Sequence, residues 1–344
     1  MKKNALLIIV CLVSITVFSL AGCSNIKNSK LLYASQYDKF AKEKIAVAGI
    51  VYLEDQFMKL LSMGYEDAAS MAGISCQTNN INNDYFKEAA LINTLTTQGI
   101  NGIAIAPLNE ESSIAALKDA AERGVKITLM DCAIENTDFI IGGFKSDQFQ
   151  LGSSTGEVAA KFIKDKLDGK AKIAIIQFES LLPEKSTALV KGFLSRIEVI
   201  PGAEIITYQD AWEQDKAVMV VSEILTANPD IDIIFAANDG GTVGAAMAVK
   251  NAGKSGEVYV FGIDTSEQIA GMLQDHDNIL QAVTGQDPYS IGSSAMTMLI
   301  DSIQGKDAGT ETGKILTVNG VLLNRADQEG IETFLVNLRE RTKE

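Results

Sequence analysis

The 344-residue chain has one histidine, one tryptophan, five prolines and four cysteines. The lone histidine, His276, lies in a charged loop between Asp275 and Asp277. That excludes a histidine-rich metal site and argues against a Ser-His-Asp triad. No carboxylate pair stands at a recognisable catalytic spacing. Positive charge is scarce: 30 Lys and Arg face 44 Asp and Glu, for a net charge of −14. A chain of this balance is not expected to bind nucleic acid, which needs clustered Lys and Arg against phosphate. Nucleotide motifs are missing as well. Gly253-Lys254-Ser255 has Ala248 where a phosphate loop needs glycine, and it follows a helix instead of a strand. Gly240-Gly241-Thr242-Val243-Gly244 is not the dinucleotide fingerprint.

Two of the four cysteines fall at the start. Lys2 and Lys3 followed by the apolar run Leu6 to Leu20 read as an export signal over residues 1–22. The run ends Leu20-Ala21-Gly22-Cys23, which resembles the lipobox of bacterial lipoproteins. That resemblance implies cleavage before Cys23 and a diacylglycerol on its sulfur. Residues 23–43 then form a lipidated tether, and the protein sits on the outer face of the cytoplasmic membrane. More than one acyl chain gives stable anchoring. Cys76 and Cys132 follow two different expected strands without metal-ligand spacing. They read as buried or half-buried thiols, with a disulfide left open.

The body is organised around Ile231 to Thr265. Ile-Asp-Ile-Ile-Phe-Ala-Ala ends in Asn238 and Asp239, a small-residue helix follows, and Val-Tyr-Val-Phe-Gly-Ile ends in Asp264. Apolar runs without alternation suit parallel strands covered on both faces. An earlier unit repeats the design, from Ile103–Ala106 through a helix to Lys126–Met130 and Asp131. Strands and helices alternate from residue 45 to residue 303, with a strand near 315–318, a polar stretch, and a last helix near 331–338. The expected fold is α/β, two doubly wound parallel-sheet lobes with the ligand in the cleft between them.

Several residues stand where strands would end. Asn238, Asp239 and Asp264 fit helix caps as well as ligand groups. Trp212, in the polar loop Asp210–Gln214, offers either a core contact or an aromatic face for a sugar ring. Phe57 is divided in the same way between helix core and a second ring face. Gln286, just before Asp287-Pro288, reads as a ligand group or a plain turn.

In order, Ile45–Phe57, Asp131, Trp212, Phe235-Ala236-Ala237-Asn238-Asp239, Phe261-Gly262-Ile263-Asp264 and Gly285-Gln286 resemble the type I periplasmic binding proteins. These are the ribose- and galactose-binding group of ABC-importer receptors. The resemblance covers about residues 44–318. It implies lobes of 44–146 plus 287–317 and of 147–286 plus 318–344, with crossings near Ser146, Gln286 and Gly313–Val318. It also implies ligand contacts from Asp55, Phe57, Asp131, Trp212, Asn238, Asp264 and Gln286. Two arginines of the sugar binders are missing: the stretch Ala188–Lys191 before Gly192-Phe193 has none, and Cys132 follows Asp131. The pattern Tyr52–Met58 with Trp212 is nearer the galactose type than the ribose type. The loop Glu179–Lys185 is expected to reshape the site.

The resulting expectation is a monomeric, lipid-anchored receptor for a neutral sugar-like ligand. It has no cofactor, no metal and no enzymatic chemistry, and it partners an ABC permease. A sensor of the same fold, presenting a sugar or signalling molecule to a membrane kinase or chemoreceptor, is the alternative.

Overall fold

The structure is a computed structural model describing residues 45–108, 110–132, 138–306 and 312–342. The leader, Cys23 and the tether lie outside the described residues. The first lobe begins β1 (Ala46–Val51), α1 (Gln56–Met71), β2 (Ser75–Asn80), α2 (Tyr85–Thr97), β3 (Gly102–Ile105), α3 (Glu110–Glu122), β4 (Lys126–Met130) and β5 (Gly142–Ser146). The second runs α4 (Gln148–Lys166), β6 (Lys170–Gln177), α5 (Pro183–Ile197), β7 (Gly202–Asp210), α6 (Gln214–Ala227), β8 (Ile233–Ala236), α7 (Asp239–Asn251), β9 (Tyr259–Ile263), α8 (Glu267–Gln274) and β10 (Leu280–Gly285). The chain then returns through α9 (Pro288–Ile303) and β11 (Lys314–Val318), and crosses again into β12 (Val321–Asn324) and α10 (Gln328–Thr342).

The strands form two six-stranded sheets, ordered β11-β5-β4-β3-β1-β2 and β12-β10-β9-β8-β6-β7. Each lobe therefore repeats one order, with a single late strand added at the hinge-side edge. Among the described strands, only β12 runs antiparallel, against β10. The central strands β3 and β8 are buried at every position, as their unbroken apolar runs require. The lobes join at three places: β5 into α4, β10 into α9, and β11 into β12.

In each lobe, the helix after the first strand packs on the helix arriving from the other lobe. Glycine lets them touch backbone to backbone. A Cβ on Gly192 of α5 would run into the Phe149 carbonyl oxygen, and one on Gly152 of α4 into that of Leu189. Gly64 of α1 and Gly292 of α9 meet Tyr289 and Leu61 in the same way. These contacts fix the start of each helix over the carboxyl ends of its sheet.

The sequence reading misplaced some elements. The strand expected over 139–143 lies at Gly142–Ser146, because pairing with β11 extends it through polar Lys145 and Ser146. Helix α5 starts at Pro183, not near Thr187, since proline's fixed φ suits the first helical position. The polar stretch after 318 contains the short edge strand β12. Asp264 does not open α8; Ser266 is its N-cap and accepts from Ile269 N. Cys76 on β2 and Cys132 beyond β4 remain thiols. Two strands separate them, which at about 4.8 Å per strand is far beyond disulfide reach.

Candidate functional site

Asp131 and Asp264 occupy the same place in the two lobes. Each directly follows the fourth strand of its lobe's repeat, β4 or β9. Each donates its backbone N–H to the neighbouring fifth strand, Asp131 to Phe144 O and Asp264 to Thr284 O, both at 3.0 Å. Both sit in the left-handed region, at φ 46° and 75°. Non-glycine residues avoid this region, and Asp tolerates it better than most. Two strained aspartates at matching sheet ends mark a site.

Their electrostatics agree. Burial pushes the Asp264 carboxyl up to about 6, although it accepts a hydrogen bond from Asp239 N at 2.9 Å. Burial also raises Asp131, while Lys185 and Lys145 pull it down. Tyr52, which follows β1, is raised by burial and then by Asp131 and Asp55. Carboxylates that burial disfavours are ready for donors that reach them.

Asn238 caps α7, with Oδ1 accepting from Gly241 N at 3.2 Å and Nδ2 donating to Trp212 O at 2.9 Å. Its amide thus fastens the Trp212 loop to the end of β8. Trp212 is half-buried and packs on the second lobe's core. Asp55 is exposed and caps α1, accepting from Met58 N at 2.8 Å.

A cavity of about 620 Å³ brings together Asp55, Phe57, Asp239, Asp264 and Gln286. Asp131, Trp212 and Asn238 are not among its lining residues. The Oε1 of Gln286 is buried without a hydrogen-bond partner. The cavity extends beside the hinge to Phe334, Asn337 and Arg341 of α10. There Arg341 lies 3.6 Å over the Tyr289 ring. The expected candidates are therefore divided between this hinge-side cavity and the strand ends beside it.

From the sequence, Asp239 reads as a helix cap or a ligand group, whereas Tyr52 and Lys185 do not read as ligand residues. The strand-end rule could have found Tyr52. Lys185 needed Pro183 to be recognised as a helix start. Among the described residues, no three His, Cys, Asp or Glu side chains could hold a metal ion. Nor is any helix among them long and apolar enough to cross a membrane.

A family model described as the periplasmic binding protein domain matches residues 45–307. The D-allose-binding periplasmic protein of Escherichia coli is 27% identical over 76% of this chain and 85% of its own length. The ribose import binding protein of Bacillus subtilis is 27% identical over 74% and 80%. A solved solute-binding protein from Actinobacillus succinogenes with bound D-allose has TM-score 0.67 at 22% identity, covering 84% of this chain and all of that one. The glucose-galactose binding protein of Geobacillus stearothermophilus has TM-score 0.62 at 19% identity, covering 83% and 99%.

Proposed function

This chain belongs to the periplasmic binding protein family, a family of binding proteins and not of enzymes, and from that premise we propose that it is the sugar receptor of an ABC importer. The ligand is a neutral, sugar-like polyol, of hexose or galactose type in preference to ribose. Two supports stand behind the hexose preference. Cys132 stands where the ribose type has an arginine, and the pattern Tyr52–Met58 with Trp212 is nearer the galactose type. Relatives named for an ABC transporter and for ribose import favour uptake over the sensor reading.

The observation that carries the proposal is the matched pair Asp131 and Asp264, one from each lobe. Sugar hydroxyls donate to carboxylates in strong charge-assisted hydrogen bonds. Trp212 and Phe57 offer apolar faces to the C–H side of the ring. Lobe closure buries the ligand, and the closed form docks on the permease. Cys23 ties the receptor to the outer face of the membrane through its lipid, and the receptor acts as a monomer.

The test is thermal unfolding of the purified chain, stripped of carried ligand by partial unfolding and dialysis, against monosaccharides and polyols. A sugar at 100 times its dissociation constant adds about 2.7 kcal/mol. For a body of about 300 residues that is a rise of about 4 °C. No rise with any sugar removes the reading. Trp212→Ala should weaken binding of the stabilising sugar at least tenfold, about 1.4 kcal/mol, in titration calorimetry. Unchanged affinity removes Trp212 from the site.

A further inference from the structure

We propose that Lys185 is the specificity-determining cation of the cleft: it holds a ligand hydroxyl between its ammonium and Asp131, and it keeps the site for uncharged polyols. The inference rests on the sugar reading given above. Lys185 stands in the first turn of α5, in the second lobe. Its Nζ lies 3.9 Å from Oδ2 of Asp131, in the first lobe. That is too long for a hydrogen bond, which closes at about 2.7–3.2 Å. It is short enough for the charges to attract. The ammonium carries three donors, and the carboxylate has two acceptor oxygens. A hydroxyl can accept from the ammonium and donate to the carboxylate at once, so it completes both.

The two sides of the pair differ. The Asp131 side chain is 14% exposed, while that of Lys185 is 48% exposed and reachable from solvent. The same ammonium also draws down the Asp264 carboxyl. One cation from the second lobe is thus felt at both strand-end aspartates. It supplies a cation to a cleft in which neither Cys132 nor the stretch Ala188–Lys191 offers an arginine. As a lysine it acts as a compact point charge with three donors, without the planar fork of an arginine.

The position is built. Pro183 starts α5, and Gly192 with Gly152 presses that helix onto α4. The preceding loop is tied down by Asp210, which accepts from Ser180 N at 2.7 Å and from Ser180 Oγ at 2.8 Å. A side chain on so fixed a base can be selective.

The surrounding charge sets the ligand class. Asp131 and Asp264 lie within the field of Lys185, and Asp239 and Asp55 lie beside Asp264 in the cavity lining. Lys145 is the second cation acting on Asp131. An acidic sugar could pair with Lys185 only by bringing its carboxylate up to these aspartates, and like charges at close range repel it. The site therefore accepts a hexose and rejects the matching uronic acid.

The experiment uses the ligand-stripped full chain with D-galactose, D-allose and D-galacturonate in titration calorimetry. Wild type should bind a neutral hexose and bind galacturonate at least tenfold more weakly. Lys185→Met should weaken the hexose at least tenfold, and Lys185→Arg should stay within about threefold of wild type. Lys185→Met combined with Asp131→Asn should lose less than the product of the two single losses, as coupled partners do. Undiminished hexose binding in Lys185→Met, or galacturonate preferred by wild type, overturns the inference. A second arm needs no ligand: a carbon-13 titration of Asp131 should show its carboxyl pKa raised in Lys185→Met. An unmoved Asp131 overturns the cross-lobe contact. Wild type that binds no sugar, with Asp131 still responding, overturns the sugar reading and the ligand half of the inference while the contact stands.

Discussion

Asp264→Asn is expected to weaken sugar binding about a hundredfold and, above pH 6, to raise the melting temperature of the ligand-free chain. The two effects have one cause. The carboxylate is held where burial disfavours its charge, so the fold is less stable for keeping it ionised. Raising the group from 3.8 to about 6 corresponds to about 3 kcal/mol against the ionised form. Asparagine carries no charge and keeps an oxygen to accept from Asp239 N. It also tolerates the φ of 75° at this position.

The pH dependence has a definite sign. A carboxyl raised in the folded state contributes stability that is fully present below its unfolded value of 3.8. That contribution is lost as pH rises through about 6. Wild type should therefore lose stability relative to Asp264→Asn across this window, with the gap flat above it. Near pH 4 the two melting temperatures should nearly coincide. Calorimetric melts at pH 4, 5, 6 and 7.5 measure the gap. An equal gap at pH 4 and pH 7.5, or a less stable variant at pH 7.5, sinks the explanation. Binding should suffer because a hydrogen bond to a charged group is worth about 1.5–3 kcal/mol and one to a neutral amide less.

Gly192→Val is expected to cost about 3 kcal/mol or more, a fall of about 5 °C or more in melting temperature. The added carbons meet the Phe149 carbonyl, and backbone in a packed helix has little room to yield. Helix α5 would have to lift from α4, carrying Lys185 away from Asp131. Sugar affinity should fall with stability in this variant, even though Gly192 lies outside the cavity lining. Gly271→Ala provides the contrast. Gly271 lies inside α8, and nothing is within 4 Å of an added Cβ. Its replacement should stabilise by about 0.5–1 kcal/mol through helix propensity. Equal destabilisation by both changes would show that helix crowding is not what Gly192 relieves.

The repeated α/β plan was legible because β3, β8 and β9 are unbroken apolar runs, which few other structures use. The strand-end positions of Asp131 and Asp264 were legible for the same reason: each ends such a run. Their equivalence was legible too, because the two units end alike; their left-handed backbone was not, since no residue pattern announces it. Strand β12 was lost because a four-residue edge strand in polar surroundings has no period to read. Asn238, read in the sequence as a cap or a ligand group, caps α7 and holds the Trp212 loop. Lys185 was read only as the end of a loop that reshapes the site, because the start of α5 was placed four residues late. A proline at the first helical position was the available signal.

Trp212 is the only tryptophan in the chain, so its emission reports one place alone. Fluorescence of the ligand-stripped chain, titrated with the sugar that stabilises it, tests cleft binding most directly. The account predicts a saturable change whose midpoint matches the calorimetric affinity and which disappears in Asp264→Asn at the same sugar concentrations. A sugar that raises the melting temperature while Trp212 emission stays unchanged would place the binding site elsewhere and contradict the account.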